Sequence, residues 1–157
     1  MRPLVVAVLD TMWGERQGSA PRFFRINPEN TSGRRLYRLV GEDVRLIVTN
    51  VCRELVDHSN KHGKPDAGWL YQNIRHITAP RFNTQLILVC GQIAQSVFNS
   101  ILCRFEDEWI LRTNLLCLPH PAARIWTEKT IQKQQKRIRE ALDGETVQVP
   151  ESSSREV

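Results

Sequence analysis

Three side chains able to cooperate in polar chemistry stand at the same kind of place in this sequence, the end of a short apolar run. Leu4-Val-Val-Ala-Val-Leu9 runs into Asp10, Val44-Arg-Leu-Ile-Val-Thr49 into Asn50, and Leu115-Leu-Cys-Leu118 into Pro119-His120-Pro121. A carboxylate can orient or deprotonate water, an imidazole can donate a hydrogen bond to a developing anion, and an amide offers donor and acceptor together. Each also has a structural use. A histidine between two prolines can bond a nearby carbonyl, and an asparagine at a strand end often caps a turn. What favours a site is the recurrence of carboxylate, amide and imidazole at three strand ends.

The elements that would position these groups follow from periodicity. Leu4 to Leu9 is continuous and β-branched, the pattern of a strand buried on both faces of a parallel sheet, and Leu115 to Leu118 is long enough for one more buried strand. Pro119 and Pro121 hold the backbone extended and forbid further ladder pairing, which presents His120 at a strand's carboxyl end. In open parallel sheets that edge collects ligand sites. Gln85 to Cys90 is another strand, followed at once by Gly91 and a helix whose apolar face is Ile93, Ala94, Val97, Phe98, Ile101 and Leu102.

Helical spacing marks three further stretches. One starts at Thr31 or Ser32 as N-cap, carries Leu36, Leu39 and Val40, and stops at Gly41. A second covers Ala67 to Thr78 with Leu70, Ile74 and Ile77, ended by Pro80, and a third runs from a Thr127 cap to Leu142. The segment from Thr11 to Asn30 is broken by glycine and proline and reads as a long loop, a kind that is usually functional. The stretch after Asn50 reads as a second surface loop or short helix, and Phe105 to Thr113 as a short strand or loop. The order implies an α/β fold in three layers, α/β/α, around a central four-stranded parallel sheet.

With 157 residues, 41% of them hydrophobic, the chain can bury one core, expected over residues 1–143, with a polar, mobile tail at 144–157. The balance of 22 basic against 17 acidic residues gives a net charge of +5, which favours a polyanionic partner without demanding one. Cys52, Cys90, Cys103 and Cys117 show neither CxxC pairing nor metal-ligand spacing, so buried free thiols in a reducing compartment are expected, with no metal and no cofactor. The first apolar run is far too short to span a membrane and no cleavage-like segment follows, so the expectation is a soluble, cytoplasmic monomer.

In order and spacing the motifs resemble those of the uracil-DNA glycosylase superfamily over nearly the whole chain except the last fifteen or so residues. Leu9-Asp10-Thr11-Met12-Trp13-Gly14 stands where the family's water-activating motif follows the first strand, with Asp10 at the acid's position. Ser32-Gly33-Arg34-Arg35-Leu36 is similar to the family's SG-x-x-L helix start, Thr49-Asn50 to its TN, Cys90-Gly91-Gln92-Ile93-Ala94 to its strand-to-helix turn, and His120-Pro121-Ala122 to its HPS loop.

The resemblance implies a DNA glycosylase that hydrolyses an N-glycosidic bond and leaves an abasic site. Such an enzyme must swing the nucleotide out and hold it with a stacking ring, an edge-reading group and a wedge. Asp10 would act on water and on the cationic sugar, and His120 on the departing base. Phe24, with Phe23 as alternate, would stack on the base, Asn50 would read its edge, and Thr11 and Met12 would lie beneath it. Arg124 falls where relatives place the residue that fills the vacated gap, and Lys129, Lys133 and Lys136 would form a basic stripe along the last helix for phosphates. Against these uses stand a loop anchor for either Phe and a solvated surface for the basic residues.

Departures from the family bear on substrate. Ala122 lacks the hydroxyl that relatives use on phosphate, and Thr11-Met12-Trp13 replaces the usual small or Asp-Pro-Tyr run. The four cysteines do not fall where iron-sulfur branches carry theirs. The expectation is excision of a modified or damaged pyrimidine, such as a glucosylated hydroxymethylcytosine in phage DNA, in an antiviral role. Uracil excision in repair and a catalytically silent DNA-binding module are the alternatives. A flavodoxin-like small-ligand domain is disfavoured because no glycine-rich phosphate loop is present.

Overall fold

The computed structural model describes residues 2–11, 19–56 and 63–144. Strands β1 (Leu4–Leu9), β2 (Arg45–Asn50), β3 (Thr84–Cys90) and β4 (Asn114–Leu118) form a sheet in the order β2-β1-β3-β4, with every neighbouring pair parallel. Between and after them come α1 (Thr31–Val40), α2 (Ala67–Ile77), α3 (Gln92–Arg104), α4 (Glu108–Arg112) and α5 (Glu128–Leu142).

The two-residue period of β1 sorts its side chains into two cores. Val5, Ala7 and Leu9 pack with Leu36 and Leu39 of α1 and with Ile131 and Ile138 of α5. Leu4, Val6 and Val8 pack on the opposite face with Leu70 and Ile74 of α2 and with Ala94 and Phe98 of α3. Helices therefore cover both faces, giving the expected three layers. Each buried Val or Leu stabilises the fold by about 1.5–3 kcal/mol, so β1, buried along its whole length, anchors the structure.

The topology also fixes where a ligand would bind. From β1 the chain crosses outward to β2, whereas from β3 it crosses the other way to β4. The direction reverses between β1 and β3, and the crevice beyond their carboxyl ends is the usual ligand position in such sheets. Asp10 follows β1 and Gly91 follows β3.

Several local expectations are corrected. The N-cap of α1 is Asn30, whose Oδ1 accepts from the Gly33 N–H at 2.6 Å, while Thr31 and Ser32 already lie in the first turn. The chain turns one residue early because Asn27 organises it, accepting from the Glu29 and Asn30 amides. Residues 105–113 are neither strand nor simple loop. Asp107 accepts from the amides of Trp109 and Ile110 and starts α4, a helix too short to show a period.

β4 is less buried than expected, with only Leu118 closed to solvent: it is an edge strand, and unlike β2 at the other edge, which pairs with Phe24, it has no further bridge among the described residues. Cys117 on this strand is exposed, as is Cys103 on α3; Cys52 and Cys90 are buried as expected. Ile93, assigned to the apolar face of α3, is 51% exposed, because the face that α3 buries is the one carrying Ala94, Phe98 and Ile101. The helix from the Thr127 cap and the Gly41 stop are as expected. The tail lies, beyond Gly144, outside the described residues.

Candidate active site

Asp10 leaves β1 on the α2/α3 side, by the alternation that puts Val6 and Val8 there. Its carboxylate accepts a hydrogen bond from the Ala94 N–H, in the first turn of α3. That helix has Gly91 as its N-cap residue and so no capping side chain of its own, and Asp10 serves the amide from a neighbouring strand. Oδ1 of Asp10 is buried and has no hydrogen-bond partner among the described residues. Burial raises the Asp10 pKa above the ordinary carboxylate value, opposed in part by the charge of His120 and by the Ala94 amide. Asp10 in turn acts on its neighbours: Cys52 is pushed up to about 11, mainly by burial and then by the Asp10 charge.

Asn50 ends β2 opposite Leu9 and, with Leu46 and Val48, faces the α1/α5 side. It is fully buried, yet both Oδ1 and Nδ2 lack a hydrogen-bond partner among the described residues. A buried polar atom left unpaired costs about 1–3 kcal/mol, and the great majority of such atoms in folded proteins are paired. This amide is not the turn cap that its position allowed. Its neighbour Thr49, pointing the other way, is the structural member of the pair. Thr49 Oγ1 accepts from Asn73 on α2, and Asn73 Oδ1 accepts from Arg22 Nε at 2.7 Å.

The His120 turn folds back over the sheet. A Cβ placed on Gly91 would lie 3.2 Å from His120 Cβ and 3.4 Å from its Cδ2, so the imidazole stands above the end of β3 rather than of its own strand. Gly91 also has φ +92°, a conformation that glycine alone adopts easily. Nδ1 of His120 accepts from the Ala122 N–H at 3.0 Å, which places the proton of the neutral ring on Nε2. The turn is held by Ala123 N–H and Trp126 Nε1–H, both donating to the His120 carbonyl, the latter at 2.8 Å. Among the described residues no carbonyl accepts from the His120 ring, whose Nδ1 is engaged by the backbone of its own turn.

Asn50, Asp10 and His120 thus sit over the ends of three consecutive strands, β2, β1 and β3. Two strand spacings, roughly 10 Å, separate the outer pair, a gap that a planar heterocycle with its hydrogen bonds can bridge. Solvent does not reach Asn50 in this conformation, so a ligand meets it only when the covering side chains shift.

The remaining site expectations divide. Phe24 pairs with Val48 through two backbone hydrogen bonds of 2.9 Å and packs, partly buried, on the α1/α5 core, the face that carries Asn50. Phe23 faces the other core and stacks near His76, with ring centroids 6.4 Å apart, so both rings pack on the core as loop anchors would, and only Phe24 does so on the Asn50 side. Thr11 is half-buried beside Asp10, and its Cγ2 would lie 2.7 Å from a Cβ on Gly63. Met12 lies outside the described residues.

Arg124, Lys129 and Lys133 are all exposed, as is Lys136, on the turn after His120 and on α5. Among the described residues no group of three or more His, Cys, Asp or Glu side chains can hold a metal, and no helix is long and apolar enough to cross a membrane. Sequence reasoning missed Arg22 and Asn73, which tie the segment carrying Phe24 to α2, because contacts between distant residues leave no periodic trace. It also missed the contacts of Arg35, which donates to the Pro121 carbonyl at 2.9 Å. Neither the family models nor the curated proteins contain a match to this chain.

Proposed function

We propose that the protein is a DNA glycosylase that hydrolyses the N-glycosidic bond of a flipped-out modified or damaged pyrimidine and leaves an abasic site. The observation that carries this reading is the buried Asn50 amide, with donor and acceptor both unpartnered, beside an unpartnered Asp10 oxygen. A donor-acceptor pair matches the edge of a pyrimidine, which presents a carbonyl next to a ring N–H or next to an unprotonated ring nitrogen and amine.

In this reading the base lies across the strand ends. Asn50 grips its edge and Phe24, on the same side of the sheet, covers its face. Asp10, arriving from the other side, orients or deprotonates the attacking water through Oδ1 and stabilises the positive charge that grows on the sugar as the bond stretches. His120 Nε2–H donates to the base oxygen on which negative charge collects. Arg124, Lys129 and Lys133 take the phosphates and the gap in the stack. The reaction class is metal-free N-glycosyl hydrolysis.

The test is incubation with duplex and single-stranded DNA containing uracil, and with phage DNA containing glucosylated hydroxymethylcytosine, followed by alkaline scission at abasic sites. Scission of the modified DNA, lost in Asp10→Asn, is the expected result. Cleavage of uracil DNA alone transfers the activity to base-excision repair, and binding without scission by wild type leaves a silent DNA-binding module.

A further inference from the structure

The sequence assigned no individual role to Arg35, but the structure ties it to the His120 turn by two routes. Arg35 is half-buried on α1, 86 residues away in sequence from the carbonyl it holds. One guanidinium nitrogen donates to the Pro121 carbonyl at 2.9 Å, and the guanidinium carbon stands 5.5 Å from the centroid of the Trp126 ring. Trp126 itself donates to the His120 carbonyl at 2.8 Å. The guanidinium and the indole thus grip the two carbonyls that flank the turn's first peptide unit. We propose that Arg35, acting with Trp126, is the positioning residue for His120, fixing the imidazole above Gly91 in the Nε2–H form.

The physical grounds are geometric. The His120 tautomer depends on the Ala122 N–H reaching Nδ1, and Ala122 follows directly on the carbonyl that Arg35 holds. A planar guanidinium can donate at its edge while its face rests on an aromatic ring, which a lysine ammonium cannot do. α1 is a firm base for this clamp, since it packs on β1 and α5 through Leu36 and Leu39. A nearby arginine shows that the arrangement is particular: Arg38, one turn on, pairs with Glu128 at 2.6 Å, and among the described residues it makes no hydrogen bond to the turn. The inference rests on the proposed role of His120 for its catalytic consequence, but not for its structural content.

Two-bond proton-nitrogen correlation spectra of the imidazoles read the tautomer directly in the intact protein, with the His120 ring assigned by its absence from His120→Gln. Wild type is expected to show the Nε2–H form. Arg35→Leu is expected to move both ring nitrogens toward the average of exchanging tautomers, with Arg35→Lys in between. Arg38→Leu, which breaks a bridge from the same helix to the first residue of α5, is expected to leave the ring as in wild type. In the excision assay Arg35→Leu should lower kcat roughly tenfold to a hundredfold with KM little changed, the effect of a small misplacement of a reacting group.

A wild-type His120 spectrum in Arg35→Leu, or an equal disturbance in Arg38→Leu, overturns the proposal. If Arg35→Leu does not fold, Arg35→Lys and Trp126→Phe take its place, and wild-type spectra in both overturn it. Failure of the wild-type protein to excise any base would count against the glycosylase reading alone, because the tautomer measurement stands without a substrate.

Discussion

Replacing Asn50 by leucine should make the protein more stable and inactive at once. The side chain is fully buried with two unpartnered polar atoms, each costing about 1–3 kcal/mol, so its removal recovers roughly 2–6 kcal/mol. Leucine is close in size but differently branched, and such swaps cost up to about 1.5 kcal/mol, leaving a net gain of roughly 0.5–6 kcal/mol. For a chain of this length each kcal/mol moves Tm by about 2–4 °C, so a rise on the order of 1–24 °C is expected. The assay is a thermal melt followed by circular dichroism, paired with scission of modified DNA by the same preparation. A site that needs an amide should lose more than about a hundredfold in turnover, since no other donor and acceptor replace it. A fall of several degrees in Tm would show that the amide is already paired and structural. Wild-type scission in the variant would sink the base-reading role, whatever the melt shows.

Asp10 supplies a pH dependence of defined sign. Because its folded-state pKa is raised, mainly by burial, its ionisation costs stability as pH rises from the ordinary value toward the folded one, and the cost persists above both. Asp10→Asn should therefore be the more stable protein at neutral pH, with the advantage vanishing in acid, as read by melts across pH; a constant difference would contradict the burial argument. The wild-type excision rate should fall on the acid side at a pH above the usual aspartate range, and a limb at the ordinary carboxylate value counts against Asp10 as the ionised group. Gly91→Ala places a methyl 3.2 Å from His120 Cβ on a backbone with φ +92°, so a loss of about 1–3 kcal/mol in stability and a displaced His120 ring signal are expected from melts and spectra. Lys129→Ala with Lys133→Ala should weaken DNA binding at low salt and lower the slope of log affinity against log salt by nearly two, whereas an unchanged slope removes α5 from the interface.

Much of the fold was legible because β1, α1, α2, α3 and α5 each bury a stripe whose period survives in the sequence. What escaped is instructive. β4 was read as buried because Leu115, Leu116 and Leu118 are apolar, but apolar type does not report whether an edge strand is covered; β2 is, by Phe24, whereas β4 has no such bridge among the described residues and only its Leu118 is closed. Asn30 lost out to Thr31 and Ser32 on paper because all three are competent caps, and the choice was made by Asn27, whose turn begins the helix one residue early. Five residues of α4 cannot display a period of 3.6. Phe23 and Phe24 were indistinguishable as types, and only the pairing of Phe24 with Val48 showed which ring shares a face with Asn50.

That parity explains how one edge of a sheet can bring opposed chemistries together. Thr49 and Asn50 are adjacent yet do unrelated things: Thr49 turns toward α2 and accepts from Asn73, while Asn50 turns toward the α1/α5 side and keeps its amide unspent. On β1 the order is reversed, with Leu9 closing the α1/α5 core and Asp10 emerging on the α2/α3 side to take the Ala94 amide. Parallel strands in register therefore bring an amide from one face and a carboxylate from the other to adjacent strand ends, and in the proposed reading a planar ring entering edge-on meets both. Shifting β2 by one residue against β1 would exchange Thr49 and Asn50, burying a hydroxyl where the amide now stands. The register of a purely structural ladder is thus a functional variable, set by the Leu46 and Val48 side chains that must remain in the α1/α5 core for Asn50 to face its proposed ligand.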